Sequence, residues 1–225
     1  MEVTKPKTIE NLPQDILVEI LSRVGSYSSD QLFMCKSVCK SFSKLSKDPL
    51  VFKRLSLDRW PLTPWENPRF FDFLYRCAFF GNPNAIFRWG LIGYFDGTHI
   101  DYGLECLKQA SNSQLKEAVY VYGLIMFASC KIEEKHVGLQ ILNETFPPEP
   151  EMVVEVRTRV FDLLRCLWLF NRRPFDDVAT PCPISDHRGY FPHIQGHGFE
   201  LTIPECMSCF WAYELGVFVN RFAYN

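Results

Sequence analysis

Apolar positions recur at helical spacing from the start of the chain. Ile16, Leu17, Ile20, Leu21 and Val24 fall at three- and four-residue steps, the signature of one apolar helix face. Leu12-Pro13 opens that helix, since proline is tolerated in a first turn where its missing N–H leaves no bond unmade. Asn11 is placed to cap it, and Asp15 sets a carboxylate at the positive end of the helix dipole. Gly25-Ser26-Tyr27-Ser28-Ser29-Asp30 then reads as a stop, a loop and a new cap. A second stripe, Leu32, Cys35, Val38, Cys39, Phe42 and Leu45, predicts one helix with Lys36, Lys40, Lys44 and Lys47 on its other side. Asp48-Pro49 breaks it, and Leu50, Phe52 and Leu55 predict a short third helix. So small a helical unit cannot bury both faces of its apolar residues, so a leftover apolar surface facing a partner is expected.

Periodicity then lapses. Between Leu57 and Pro68 lie three prolines and two tryptophans, Trp60 and Trp65, which rules out a regular helix and predicts an apolar linker packed across a domain junction. From Phe70 the pattern is helical again and repeats itself. Phe73, Leu74, Cys77 and Ala78 mark one helix, Gly81-Asn82-Pro83-Asn84 a turn and cap, and Ala85, Phe87, Trp89, Gly90 and Ile92 the next helix. Ala85 to Ala118 and Gly90 to Gly123 are steps of 33, and Gly103-Leu104-x-x-Leu107 returns as Gly138-Leu139-x-x-Leu142 at a step of 35. Self-similarity at this period is the mark of stacked helical hairpins, and its small residues let helices approach closely. Phe146-Pro147-Pro148-Glu149-Pro150 is a boundary, after which Val153, Val156, Val160, Leu163, Leu164 and Leu167 predict one more helix over 151–169.

From Phe175 onward Pro, Gly and His replace that periodicity, until PECMSCFWAYELGVFVNRF predicts a terminal apolar helix. Cys182, His187, His193, His197, Cys206 and Cys209 fall within 28 positions. Thiolates and imidazoles are the ligands zinc selects, so Cys182, His197, Cys206 and Cys209 are zinc candidates. Only one Cys-x-x-Cys is present, however, so cysteines packed in a helix are the simpler reading and no cofactor is expected.

Composition narrows the function. A hydrophobic content of 47% with twenty Phe implies extensive aromatic packing and leaves little room for long disorder. A net charge of −2 makes no electrostatic case for nucleic acid. No run approaches the length of a membrane span, and the N-terminus lacks the apolar core of a signal peptide. Nine cysteines, an odd count, disfavour a disulfide framework and suggest a reducing cytoplasm or nucleus. No phosphate-cradling glycine loop, hydrolase elbow or ordered Cys-His motif is present, so catalysis is not expected. The organisation is therefore a polar N-terminus (1–8), a helical docking unit (9–56), a Pro/Trp linker (57–69), helical repeats (70–170) and a Cys/His-containing C-terminal segment (171–225).

LPQDILVEILSRV, SVCKSF and LSKDPLVF resemble an F-box: Leu-Pro, an Ile-Leu pair, Val-Cys-Lys before an aromatic, and Asp-Pro, in that order. Phe42 stands where that family usually has Trp, and the first interhelical loop looks longer than in the commonest plant pattern. FFGNPNAIFRWG and ASNSQLKEAVYVYG resemble Sel1-like repeats, relatives of tetratricopeptide repeats. Cys206-x-x-Cys209-Phe210-Trp211-x-Tyr213-Glu214-Leu215 is similar to the ending of plant F-box proteins with helical repeats, though that group's upstream cysteines are mostly missing. The resemblance implies a mainly α fold: a three-helix F-box, a Sel1/tetratricopeptide-like domain and a loop-rich segment ending in a helix. It further implies that Leu12, Pro13, Ile16, Leu17, Ile20, Leu21, Val38, Cys39, Phe42 and Pro49 dock a Skp1-type adaptor, and through it a cullin. The helical remainder would hold a target protein for ubiquitination, with the chemistry left to other subunits. Two other readings stay open. One is a helical-repeat scaffold that docks an adaptor outside any ligase; the other is a zinc-dependent module on nucleic acid, which the net charge disfavours.

Overall fold

The computed structural model describes residues 9, 12–60, 68–97, 99–146, 150–165, 206–220 and 222. Among these residues the ordered elements are eleven α-helices, with no strand. The chain divides into two compact units, Met1–Trp89 and Gly90–Asn225.

The first unit begins with α1 (Gln14–Tyr27), α2 (Ser29–Val38), α3 (Lys40–Leu45) and α4 (Pro49–Arg54). Pro13 is itself the residue preceding α1, with φ −52° and ψ 146°, and its carbonyl accepts the Leu17 N–H at 3.1 Å. Asn11, expected to cap this helix, lies outside the described residues. The expected loop after Gly25 does not form. Helix α1 runs on to Tyr27, and Ser28 alone joins it to α2: the Ser28 N–H closes α1 on the Val24 carbonyl at 2.9 Å, and its Oγ accepts the Gln31 N–H at 3.4 Å. Glycine at 25 serves close packing rather than a stop, because a Cβ there would lie 3.1 Å from Leu55 and 3.2 Å from Leu32. The second stripe is likewise not one helix. Cys39 is extended (φ −154°, ψ 162°), and its Sγ accepts the Phe42 N–H at 3.5 Å to start α3. Apolar residues on both sides of this one-residue break still face the same core, so their spacing conceals it. Asp48 Oδ1 accepts the Leu50 N–H at 2.9 Å, with Pro49 in the first turn, so α4 begins where Asp-Pro marks a break.

Leu21, Leu32, Val51, Phe52, Leu55 and Leu57 form the core of this bundle. Helix α5 (Pro68–Phe79) adds Phe70, Leu74 and Cys77 to that core. The linker's Trp60 is packed rather than loose: its ring stacks on Phe70 and Phe73 at 5.0 Å, and its Nε1–H donates to Ser29 Oγ at 2.9 Å. Trp65 lies outside the described residues. Asn82, 1% exposed, works in both directions. Its Oδ1 accepts the Ala85 N–H at 3.1 Å to cap α6 (Pro83–Phe95), while Nδ2 donates to the Phe52 and Leu55 carbonyls at 2.9 and 2.8 Å. Buried Arg88 donates to the Trp60 and Leu57 carbonyls at 2.6 and 2.5 Å. These contacts satisfy the backbone at the end of α4 and in the linker, where no helix can do so.

The second unit contains the end of α6, then α7 (Ile100–Asn112), α8 (Lys116–Phe127), α9 (Ile132–Thr145), α10 (Pro150–Arg165) and α11 (Met207–Asn220). The sequence period has a direct structural meaning here. A Cβ on Gly90 would lie 2.8 Å from Leu107 Cγ, and a Cβ on Gly123 2.6 Å from Leu142 Cγ. A Cβ on Gly103 would strike the Tyr94 nitrogen at 2.3 Å, and one on Gly138 the Phe127 nitrogen at 2.5 Å. Each glycine meets the same partner position one repeat later, so α6–α7 and α8–α9 are two copies of one close-packed hairpin. Helix α8 is apolar all round, with every residue from Ala118 to Ile125 buried, because α7, α9 and α10 all pack on it.

Helix α11 closes this unit with fully buried Trp211 and Phe218. Phe218 meets Phe95, Tyr120 and Phe161 at centroid distances of 6.0 to 6.1 Å, and Trp211 Nε1–H donates to Asn143 Oδ1 at 2.8 Å. Glu214 is also buried. Its Oε1 accepts from Arg157 Nη1 at 2.6 Å and its Oε2 from the Tyr120 hydroxyl at 3.1 Å. Burial pushes the Glu214 carboxyl above its ordinary range, with Arg157 and the Tyr120 hydroxyl pulling the other way.

Candidate functional site

The apolar residues of α1 divide between two faces. Successive residues of a helix are rotated by about 100°, so Ile16 and Ile20 share one stripe while Leu17 and Leu21 point well away from it; Leu12 precedes the helix, before Pro13. Leu17 and Leu21 are 3% and 2% exposed, whereas Leu12 and Ile16 remain 40% and 45% exposed. Leu17 and Leu21, expected among the docking residues, are thus core residues: they are buried in a helix that packs against α2, α3 and α4, and their burial holds the other stripe outward. Pro13 is exposed and Ile20 half-buried on the outward side.

Helix α2 contributes a second exposed patch at its C-terminal end, where Met34 and Val38 lie one turn apart at 66% and 71% exposure. Cys39 and Phe42 are half-buried. Phe42 packs on the bundle core, while the Cys39 thiol is committed to capping α3. Pro49 is exposed at the start of α4. Of the ten expected docking residues, then, Leu12, Pro13, Ile16, Val38 and Pro49 are exposed, Ile20, Cys39 and Phe42 are half-buried, and two are internal. Fully burying a Leu, Ile or Val side chain contributes about 1.5–3 kcal/mol, so this surface retains association energy that the bundle itself does not use.

The stripe on α1 is held in place by polar contacts that periodicity does not reveal. Arg54 Nη1 donates to Glu19 Oε1 and Oε2 at 2.9 and 2.7 Å and to Ser22 Oγ at 3.2 Å, tying α4 to the middle of α1. Arg23 Nε donates to Glu19 Oε1 at 2.9 Å. Arg23 and Arg54 together hold the Glu19 carboxyl below the usual carboxylate range. The Glu19–Arg23 spacing is visible in sequence as an i,i+4 pair; Arg54, 35 positions away, carries no such signal.

At the C-terminal end, Cys206 Sγ accepts the Cys209 N–H at 3.3 Å, so this thiol caps α11. Among the described residues no group of three His, Cys, Asp or Glu is placed to hold a metal ion. Cys182, His187, His193 and His197 lie outside the described residues.

Comparison with known proteins agrees with both halves of this description. The F-box-like family matches residues 9–58, and the plant tetratricopeptide repeat family matches residues 57–165. Two Arabidopsis thaliana proteins that bear F-box names are similar over longer stretches. At1g67623 is 39% identical over 178 residues, which is 76% of this chain and 59% of that protein. At2g35280 is 31% identical over 126 residues, which is 56% of this chain and 77% of that protein. The chain therefore spans about three-fifths of the first relative's length. No solved structure matches it. An F-box at 9–58, plant tetratricopeptide repeats beyond it and identity across most of a protein bearing an F-box name lead to one conclusion: the chain belongs to the F-box protein family.

Proposed function

We propose that this chain is a substrate-receptor subunit of a Skp1–cullin–F-box ubiquitin ligase. In this reading Leu12, Pro13, Ile16, Ile20, Val38 and Pro49 dock the Skp1-type adaptor, and the adaptor brings the cullin. The helices after the F-box hold the target protein. The observation that carries the reading is the apolar surface at the start of α1, where Leu12, just before the helix, and Ile16, within it, stay 40% and 45% exposed while Leu17 and Leu21 are buried. The chain contributes proximity rather than bond chemistry: holding a target beside the charged conjugating enzyme raises its effective concentration there. The odd cysteine count supports placing this work in a reducing cytoplasm or nucleus.

Co-purification with a Skp1-type adaptor tests the proposal, with Ile16→Asp and Val38→Asp as the perturbations. Both positions are exposed, so the variants keep the wild-type circular dichroism and melting temperature. The wild-type chain is expected to form a one-to-one complex that further recruits a cullin, and each variant to lose it. A wild type that ignores every adaptor tried would sink the receptor reading. A complex with adaptor but never with cullin would leave a scaffold that docks an adaptor outside any ligase.

A further inference from the structure

A second surface of the first unit is independent of the α1 stripe. Helices α2, α4 and α5 enclose a groove of about 180 Å³ whose floor includes Phe33, Phe52 and Phe73. It shares Lys47, Phe52 and Arg76 with a neighbouring depression of about 290 Å³, walled by Tyr75, Phe79 and Phe80. Tyr75 and Phe79 are 60% and 71% exposed, which leaves two large aromatic rings in solvent beside the groove. Its rim carries four cations, Lys36, Lys47, Arg69 and Arg76, against one carboxylate, Asp72. Among the described residues Lys36, Lys47 and Arg76 make no ion pair. The Lys36 ammonium sits 4.8 Å from the Phe33 ring centre, and burial together with the neighbouring Lys47 pushes its pKa down. Three cations that make no ion pair among the described residues, Lys36, Lys47 and Arg76, lie beside exposed aromatic rings and form a surface missing its complement.

We propose that this groove binds an extended acidic segment of the target protein, with carboxylates against Lys36, Lys47 and Arg76 and an apolar side chain against Phe52, Phe79 and Phe80. That the segment belongs to a target rests on the receptor reading above; the groove's chemistry does not. The target, rather than the adaptor, is the occupant because α5 supplies one wall and lies beyond the F-box match, inside the tetratricopeptide match. A peptide is favoured over nucleic acid because the groove's few cations are interrupted by Asp72 and form no continuous basic track for a phosphate backbone.

The test measures fluorescence anisotropy of the full chain against labelled nine-residue peptides. These carry five Asp or Glu and one Phe or Leu, with the apolar position scanned along the peptide. Binding is expected for at least one register and is expected to weaken with added salt. It should fall about tenfold or more in Lys47→Glu/Arg76→Glu, a loss of two attractive charges and gain of two repulsive ones. Both side chains are exposed, so the variant folds normally. The Asn/Gln counterpart peptides should not bind, and Phe79→Ala should weaken the acidic ones. Absence of binding in every register overturns the proposal, as does equal binding of the Asn/Gln peptides. A nine-base single strand that binds with the same charge dependence when the peptides do not would also overturn it. Displacement of the peptide by purified adaptor would assign the groove to the adaptor instead. If the chain forms its adaptor complex yet ignores the peptides, the groove fails and the receptor reading stands. If it binds the peptides but no adaptor, the receptor reading fails and the groove stands.

Discussion

Replacing Gly103 with alanine sets two effects against each other, and the structure decides which wins. In an isolated helix the change is favourable, since alanine is preferred over glycine by about 1 kcal/mol. Here the new methyl would lie 2.3 Å from the Tyr94 nitrogen, 2.7 Å from the Gly93 carbonyl carbon and 2.9 Å from the Tyr94 Cα. All three are backbone atoms of α6, so no side chain can swing aside. Ordinary contact needs 3.4 Å or more, so α7 must retreat by roughly an ångström, loosening Leu107 from Gly90 as well. Overpacking of this kind costs about 1–3 kcal/mol, and more where backbone is the obstacle, which outweighs the propensity gain. Gly103→Ala is therefore expected to destabilise the chain by about 2 kcal/mol, read as a lower urea midpoint at unchanged slope. Gly138→Ala, with Phe127 nitrogen at 2.5 Å and the Gly123 carbonyl oxygen at 2.7 Å, should behave the same way. Gly216→Ala is the control of opposite sign. It is exposed within α11, and the methyl it would gain meets no atom within 4 Å, so the propensity gain of about 1 kcal/mol should emerge undiminished. A neutral or stabilising Gly103→Ala would refute the close approach of α6 and α7.

Three further outcomes follow from buried polar groups. Asn82→Ala removes three hydrogen bonds and strands the Phe52 and Leu55 carbonyls, a loss of about 2–4 kcal/mol in urea unfolding; a loss below about 1 kcal/mol would show that water replaces the amide without penalty. Burial pushes the Cys77 thiol from its ordinary 9 up to about 12, so both folded and unfolded chains hold the proton below pH 9 and only the unfolded chain loses it between 9 and 12. Stability should therefore decline across that window by about 1.4 kcal/mol per pH unit more than in Cys77→Ala, and matching pH slopes would contradict the buried placement. Glu214→Ala leaves Arg157 and the Tyr120 hydroxyl without their shared acceptor and should cost about 3–5 kcal/mol. Glu214→Gln, which keeps an acceptor in place, should cost less in the same denaturation series; equal losses would mean that charge rather than hydrogen bonding holds the network.

Much of the helical plan was legible in residue order because its causes are local. Apolar spacing placed α1, α5, α6 and α10, Asp48-Pro49 marked the start of α4, and the 33- and 35-residue steps located the glycines at the close helix crossings before any partner was known. The F-box pattern was equally open to reading, since Leu-Pro, Val-Cys-Lys and Asp-Pro are contiguous motifs. What escaped were decisions made by distant partners. Ile16 and Leu17 are neighbours of equal hydrophobicity; only the packing of α2 and α4 buries one and leaves the other to solvent. The break at Cys39 depends on a thiol accepting one N–H, which leaves apolar spacing intact on both sides. Asn82 was legible as a cap, but its hold on the Phe52 and Leu55 carbonyls spans some thirty residues and has no local trace. Glu214 looked like one letter of a terminal motif until Tyr120 and Arg157 converged on it from α8 and α10. Sequence by itself determined where helices run and which small residues they need, because backbone propensity and periodicity act within a few residues. Tertiary structure decided which face of each helix is spent on the core and which remains for a partner, because burial depends on what the rest of the chain brings alongside.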